Sequence, residues 1–161
     1  MSGKSKPFGK YKTESSPQKA PFMTFSIGNI ELALKVEKIV KKIGADTLLT
    51  YEPRGISGHL DHVAVSMITS FVFRQNLSVK NLYYYAVPED RQEDTRRNTY
   101  FIYYPKGYKT HEIHITTKTD TVWNSKRKSM LSHASQIHDA KVILKRLEDL
   151  PKEEHFLIEE R

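Results

Sequence analysis

Two imidazoles and a carboxylate stand within four residues in Tyr51-Glu-Pro-Arg-Gly-Ile-Ser-Gly-His59-Leu-Asp61-His62. Histidine and aspartate this close together can bind zinc, transfer protons and orient one another. The glycines of the segment let the backbone turn sharply and approach a ligand closely. The same residues have a plainer use. Asp61 can cap the helix that starts at His62, and histidines near a helix start are commonly inert surface groups. The chemistry of the cluster alone leaves metal binding, acid–base work and simple capping open.

The cluster must be positioned by the elements on either side of it. Asp46-Thr-Leu-Leu-Thr-Tyr51 is a β-prone run, and His62 to Asn76 carries Val63, Ala64, Met67, Ile68, Phe71 and Val72 around much of its circumference. The latter predicts a largely buried helix. A loop between a strand end and a helix start is where ligands bind in open α/β sheets. Upstream, Leu32, Val36, Ile39, Val40 and Ile43 recur at helical spacing, with Asn29 placed as a cap, Glu31 at the positive end and Gly44 after the last turn. A helix running into a strand in this way is an αβ step of a parallel sheet.

Downstream, Asn81–Val87 reads as a second strand and Pro88–Asn98 as a surface loop, with further strands at Thr99–Tyr104 and Glu112–Thr117. Asp120 or Thr121 can start a helix running to about Gln136, a second helical piece covers Ala140–Leu147, and Glu154–Glu159 supplies a last short strand. The fold class is α/β.

The 161 residues suit one domain, and no apolar run is long enough to span a membrane. Met1 to Ala20 has no apolar centre, so it does not read as a secretory signal. Cysteine is absent. That excludes disulfides and thiolate metal sites, and it agrees with a reducing, cytoplasmic setting. The net charge of +7 is uneven: residues 1–20 hold five lysines against Glu14 alone, a net +4, leaving +3 for the other 141 residues. Residues 1–21 are therefore expected to form a disordered basic lead-in, with order beginning near Phe22. Charge of this kind can touch phosphate, but it does not extend to the folded part, and no nucleic-acid partner is expected there.

Gly58-His-Leu-Asp-His62 followed by Val-Ala-Val-Ser resembles the second signature of the PIG-L/LmbE zinc-dependent de-N-acetylases, a glycine and then His-x-Asp-His. Lys126-Arg-Lys-Ser-Met-Leu-Ser-His133-Ala-Ser135-Gln136 is similar to that family's Lys-x-x-Ala-Leu-x-x-His-x-Ser-Gln helix, and Glu154-His-Phe156 to its closing Glu-x-Phe. Order and spacing agree over roughly residues 22–161. The resemblance implies a Rossmann-like layered fold with a mostly parallel sheet, and hydrolysis of the N-acetyl group of N-acetylglucosamine-type sugars or glycolipids. It further implies Zn2+ held by His62, His59 stabilising the oxyanion or protonating the leaving amine, Asp61 orienting a histidine, and His133 and Gln136 near the substrate pocket.

The family's other signature, His-Pro-Asp-Asp-Glu, should supply two further ligands and the general base, and nothing in this sequence matches it; Pro88-Glu-Asp-Arg is the nearest acidic cluster. The first strand and helix of the family are also without a counterpart. Residues 22–161 are accordingly expected to be a partial deacetylase domain, from a truncated or inactive copy, a fragment or a mis-assigned start. An unusual site from His111, His114 and His133 with the first two histidines is disfavoured, because a His-x-x-His pair on a strand points to opposite faces. Two other classes compete with the enzyme: a catalytically dead carbohydrate-binding or accessory module, and a nucleic-acid binder acting through the basic tail.

Overall fold

The computed structural model describes residues 21–92 and 105–161, with side chains from Ile30 onward. Residues 1–20 of the expected lead-in 1–21, residues 93–98 of the expected surface loop and the expected strand Thr99–Tyr104 lie outside the described residues, and Pro21 opens a helix. Five helices and four strands follow in chain order: α1 (Pro21–Ile43), β1 (Thr47–Tyr51), the one-turn α2 (Gly55–Gly58), α3 (Leu60–Gln75), β2 (Asn81–Ala86), β3 (Ile115–Lys118), α4 (Trp123–Leu131), α5 (Ile137–Arg146) and β4 (Glu153–Glu160). The α/β class holds.

The sheet has the order β1-β2-β4-β3. β1 and β2 are parallel, while β2/β4 and β3/β4 are antiparallel. This corrects the expectation of a mostly parallel sheet, and connectivity gives the reason. Between β1 and β2 the chain crosses over through α3, long enough to return parallel. Between β3 and β4 the helices α4 and α5 act as an enlarged hairpin turn, because Lys118 pairs with Glu153 at its base. That turn therefore sits at the end of the sheet where β1 and β2 finish, since Ala86 of β2 faces His155 of β4.

The core lies between one sheet face and the helices: Ala33 and Val40 of α1, Ile68, Val72 and Phe73 of α3, with Val79, Leu82 and Tyr84. Alternation along β2 puts Leu82, Tyr84 and Ala86 on that face. Arg161 ties the end of β4 to the end of α3, donating from Nη2 to the Phe73 carbonyl at 2.6 Å. The same carbonyl also accepts from the Asn76 N–H at 3.3 Å, so two donors close the last turn of α3.

Three local expectations change. Helix α1 runs through Asn29 and Glu31, so neither marks its start; Glu31 instead pairs with Lys35 at i,i+4. Ala33, Val36 and Val40 make the contact with the core, whereas Leu32, Ile39 and Ile43 are exposed, as are Met67 and Phe71 of α3. The helix expected to reach Gln136 stops at Leu131, because His133 leaves helical backbone at ψ 85.

Candidate functional site

Beyond Tyr51 the chain leaves the sheet through Glu52, whose N–H donates to the Tyr85 carbonyl at 3.1 Å. Glu52 is only 2 % exposed. A carboxylate so buried requires donors converging on it. They are the Arg54 N–H at 2.8 Å, the Ile56 N–H at 2.5 Å, the Tyr108 hydroxyl at 2.8 Å and the Arg54 Nε at 3.4 Å. Tyr108 is itself seated by backbone bonds: its N–H donates to Val87 and its carbonyl accepts from Glu89, both at 2.9 Å. Gly107 permits that approach, since a Cβ there would lie 2.5 Å from the Pro88 oxygen. Burial, and then the bond to Glu52, push the Tyr108 phenol up to about 12, so it stays a donor.

Anchored in this way, the loop adopts left-handed backbone at Gly55 (φ 70), Ile56 (φ 62) and Gly58 (φ 76). That region costs glycine little and a β-branched residue more. At Ile56 the strained conformation is held from both sides, since its N–H reaches Glu52 and its carbonyl accepts from Gln92 Nε2 at 2.9 Å. Gly55 has no room for a side chain, because a Cβ would lie 2.8 Å from Val63 Cγ2. The loop backbone thus packs directly on the first turn of α3.

This packing sets the two histidines. The Gly55 carbonyl lies 3.2 Å from His62 Nδ1. A carbonyl can only accept, so Nδ1 carries the hydrogen and Nε2 keeps its lone pair. Burial lowers the His62 pKa; the Gly55 bond opposes that shift and nearby His59 adds to it, so the neutral ring is favoured. His62 stacks on Tyr51, ring centres 4.1 Å apart, and lies 5.1 Å from the ring of His59. His59 is the N-cap of α3, and its Nδ1 accepts from the Asp61 N–H at 3.2 Å. An accepting ring nitrogen carries no proton, so the hydrogen of neutral His59 is on Nε2. Side by side, these two bonds favour opposite tautomers, with a lone pair on Nε2 of His62 and an N–H on Nε2 of His59.

The Asp61 side chain is 86 % exposed and its Oδ2 lies 3.8 Å from His59 Nδ1, outside hydrogen-bond range. The Asp61 backbone orients His59, and the Gly55 carbonyl orients His62. His133 and Gln136 are exposed and make no hydrogen bond or ring contact with either histidine. His111 lies in a 3-10 turn, Thr110–Glu112, which corrects its placement on a strand. His114 Nδ1 accepts from the Ile158 N–H at 2.8 Å. A catalytic zinc takes three protein ligands and a water. His62 offers one, and among the described residues no group of three histidine, aspartate or glutamate side chains is arranged to hold a metal ion. The described residues do not by themselves fit a zinc centre.

Reasoning from sequence missed Glu52 and Tyr108. A signal for the first exists: a glutamate directly after a strand, with glycine three residues on, can bend back to the amides of its own loop. Tyr108 has no such signal, because its contact spans 56 positions. No family model, curated protein or solved structure matches the chain.

Proposed function

We propose that this chain is the part of a PIG-L/LmbE-type de-N-acetylase that carries the His-x-Asp-His loop, acting on N-acetylglucosamine-type sugars or glycolipids. The observation that carries this reading is the pair of backbone bonds, Asp61 N–H to His59 Nδ1 and His62 Nδ1 to the Gly55 carbonyl, which favour opposite tautomers in the two rings. His62 offers a neutral lone pair of the kind a metal ligand needs, and His59 offers an N–H of the kind that stabilises an amide oxygen or protonates a leaving amine. The remaining ligands and the base would come from outside the described residues. The reading implies Zn2+, and a further strand beside β1 that completes a Rossmann-like layer. Two features support that last point. Among the described residues β1 is an edge strand with Leu49 65 % exposed, and Ile30, Leu34, Met67 and Phe71 line an apolar groove between α1 and α3.

Deacetylation of N-acetylglucosamine derivatives with added zinc tests the reading, using the chain alone and fused to a strand–His-Pro-Asp-Asp-Glu–helix half. Hydrolysis by the fusion alone is expected, lowered about 100-fold or more by His59→Ala or His62→Ala. A fusion whose activity ignores both substitutions removes this loop from catalysis. Hydrolysis by the chain alone would show that the other signature is dispensable. A second reading, a non-hydrolytic sugar-binding module, is favoured by the lack of a three-ligand group among the described residues. Saturable sugar binding without hydrolysis in either protein would select it.

A further inference from the structure

The folded part of the chain is less uniform in charge than its total suggests. Residues 123–152, which hold α4 and α5, contain seven lysines and arginines against three acidic residues, a net +4. Residues 21–161 together net +3, so everything else in that span sums to −1. Four of those seven basic residues, Arg127, Lys141, Lys145 and Lys152, line a cleft of about 430 Å³ between the two helices, walled by Trp123, Leu131 and Leu144.

Two lysines beside Trp123 are already committed. Lys152 donates to the carbonyls of Leu147, Glu148 and Leu150 at 2.6 to 2.7 Å, closing the end of α5, and lies 5.0 Å from the centre of the Trp123 ring. Lys126 pairs with Glu154 at 2.6 Å. Arg127, Lys141 and Lys145 are exposed and have no ion-pair partner among the described residues. The dipole of α5 accounts for Lys145 in its last turn. It does not account for Lys141, one turn earlier, where a like-charge i,i+4 pair costs a helix a few tenths of a kcal/mol. Nor does it account for Arg127, which reaches the same cleft from a different helix. Glu148 is the single acidic side chain on the lining.

We infer that the α4–α5 cleft binds a phosphate ester, with Arg127, Lys141 and Lys145 taking the phosphoryl oxygens and Trp123 covering the attached group. Three converging cations with a planar guanidinium among them suit an oxyanion of this kind. The cleft volume suits one small headgroup or sugar phosphate. The site stands at the same end of the sheet as the histidine loop, on the connection between β3 and β4 while the loop follows β1, and it does not depend on the reading of that loop.

Trp123 is the only tryptophan in the chain, so its fluorescence reports on this cleft alone. The full chain is titrated with inorganic phosphate, with chloride at matched ionic strength, and with phosphatidylcholine vesicles with and without phosphatidic acid. A saturable change with phosphate assigns a soluble phosphate ester. A change with phosphatidic acid vesicles alone assigns a lipid headgroup. In either case the double variant Arg127→Gln/Lys145→Gln should weaken binding about 100-fold, a tenfold loss for each charge-assisted contact. Both residues are exposed, and an unchanged thermal midpoint shows that the variant folds. No response to either probe, an equal response to chloride, or full binding by the double variant overturns the proposal. So does binding of a single-stranded oligonucleotide by a chain that answers neither phosphate probe.

Discussion

The loop after β1 and the hairpin of α4 and α5 occupy the same end of the sheet and are held in opposite ways. In the loop, a buried carboxylate collects donors from the loop backbone and from Tyr108, and left-handed backbone is fixed at Gly55, Ile56 and Gly58. In the hairpin Arg127, Lys141 and Lys145 face solvent, and its ties to the sheet include the pair between Lys126 and Glu154 and the Thr119 N–H donating to the Lys152 carbonyl at 2.6 Å. Tautomer choice depends on the direction of a single hydrogen bond, so the loop needs a rigid frame. Capture of an anion by several flexible cations does not, because long side chains adjust to the ligand.

The sharpest way to break this contrast is at Glu52. Glu52→Ala leaves two backbone N–H groups and the Tyr108 hydroxyl without their acceptor, and should cost about 3 kcal/mol in urea unfolding. A cost below about 1 kcal/mol would mean that the carboxylate does not organise the loop. Next is Gly55→Ala, which combines φ 70 with a Cβ 2.8 Å from Val63 Cγ2. It should cost about 2 kcal/mol and shift the His62 ring resonances more than those of His114. Unmoved His62 signals would separate the glycine from the ring.

Acidity gives a smaller effect with a definite sign. His62 and His155 are both held below the ordinary imidazole value of 6.5, chiefly by burial. The unfolded chain therefore takes up these protons first. Stability is full above about 6.5 and falls as pH drops from there toward the folded-state values. His62→Gln should flatten that slope of thermal midpoint against pH. Tyr108 acts at the other extreme: with its phenol pushed up to about 12, the unfolded chain ionises first and stability falls as pH rises above the ordinary value of 10. At the small end, Lys141→Gln in the hairpin should change stability by less than about 0.5 kcal/mol. A larger loss would show that the hairpin too is a locked structure.

Much of the fold was legible in local pattern. The β1 strand, the α3 helix, the β2 strand and the closing strand all lie within two residues of where alternation and helical spacing put them. The partner of the closing strand was not legible, because β4 pairs with β2 and β3 far back in the chain and nothing local to Glu153–Glu160 encodes its direction. The length of α1 was hidden by Asn29, whose capping preference is overridden where helix continues on both sides. At the site, the two histidines were visible and what orients them was not. Asp61 stood in the motif, but the Gly55 carbonyl and the Asp61 N–H are backbone groups, and side-chain spacing does not reveal where such groups point.

Nitrogen NMR of the imidazole rings near neutral pH tests the central claim most directly, because it reads which nitrogen of each histidine carries the hydrogen. The account predicts Nδ1–H on His62 and Nε2–H on His59, with His62 neutral below the ordinary histidine range. The reverse assignment on either ring, or rapid exchange of both tautomers on His62, would contradict it.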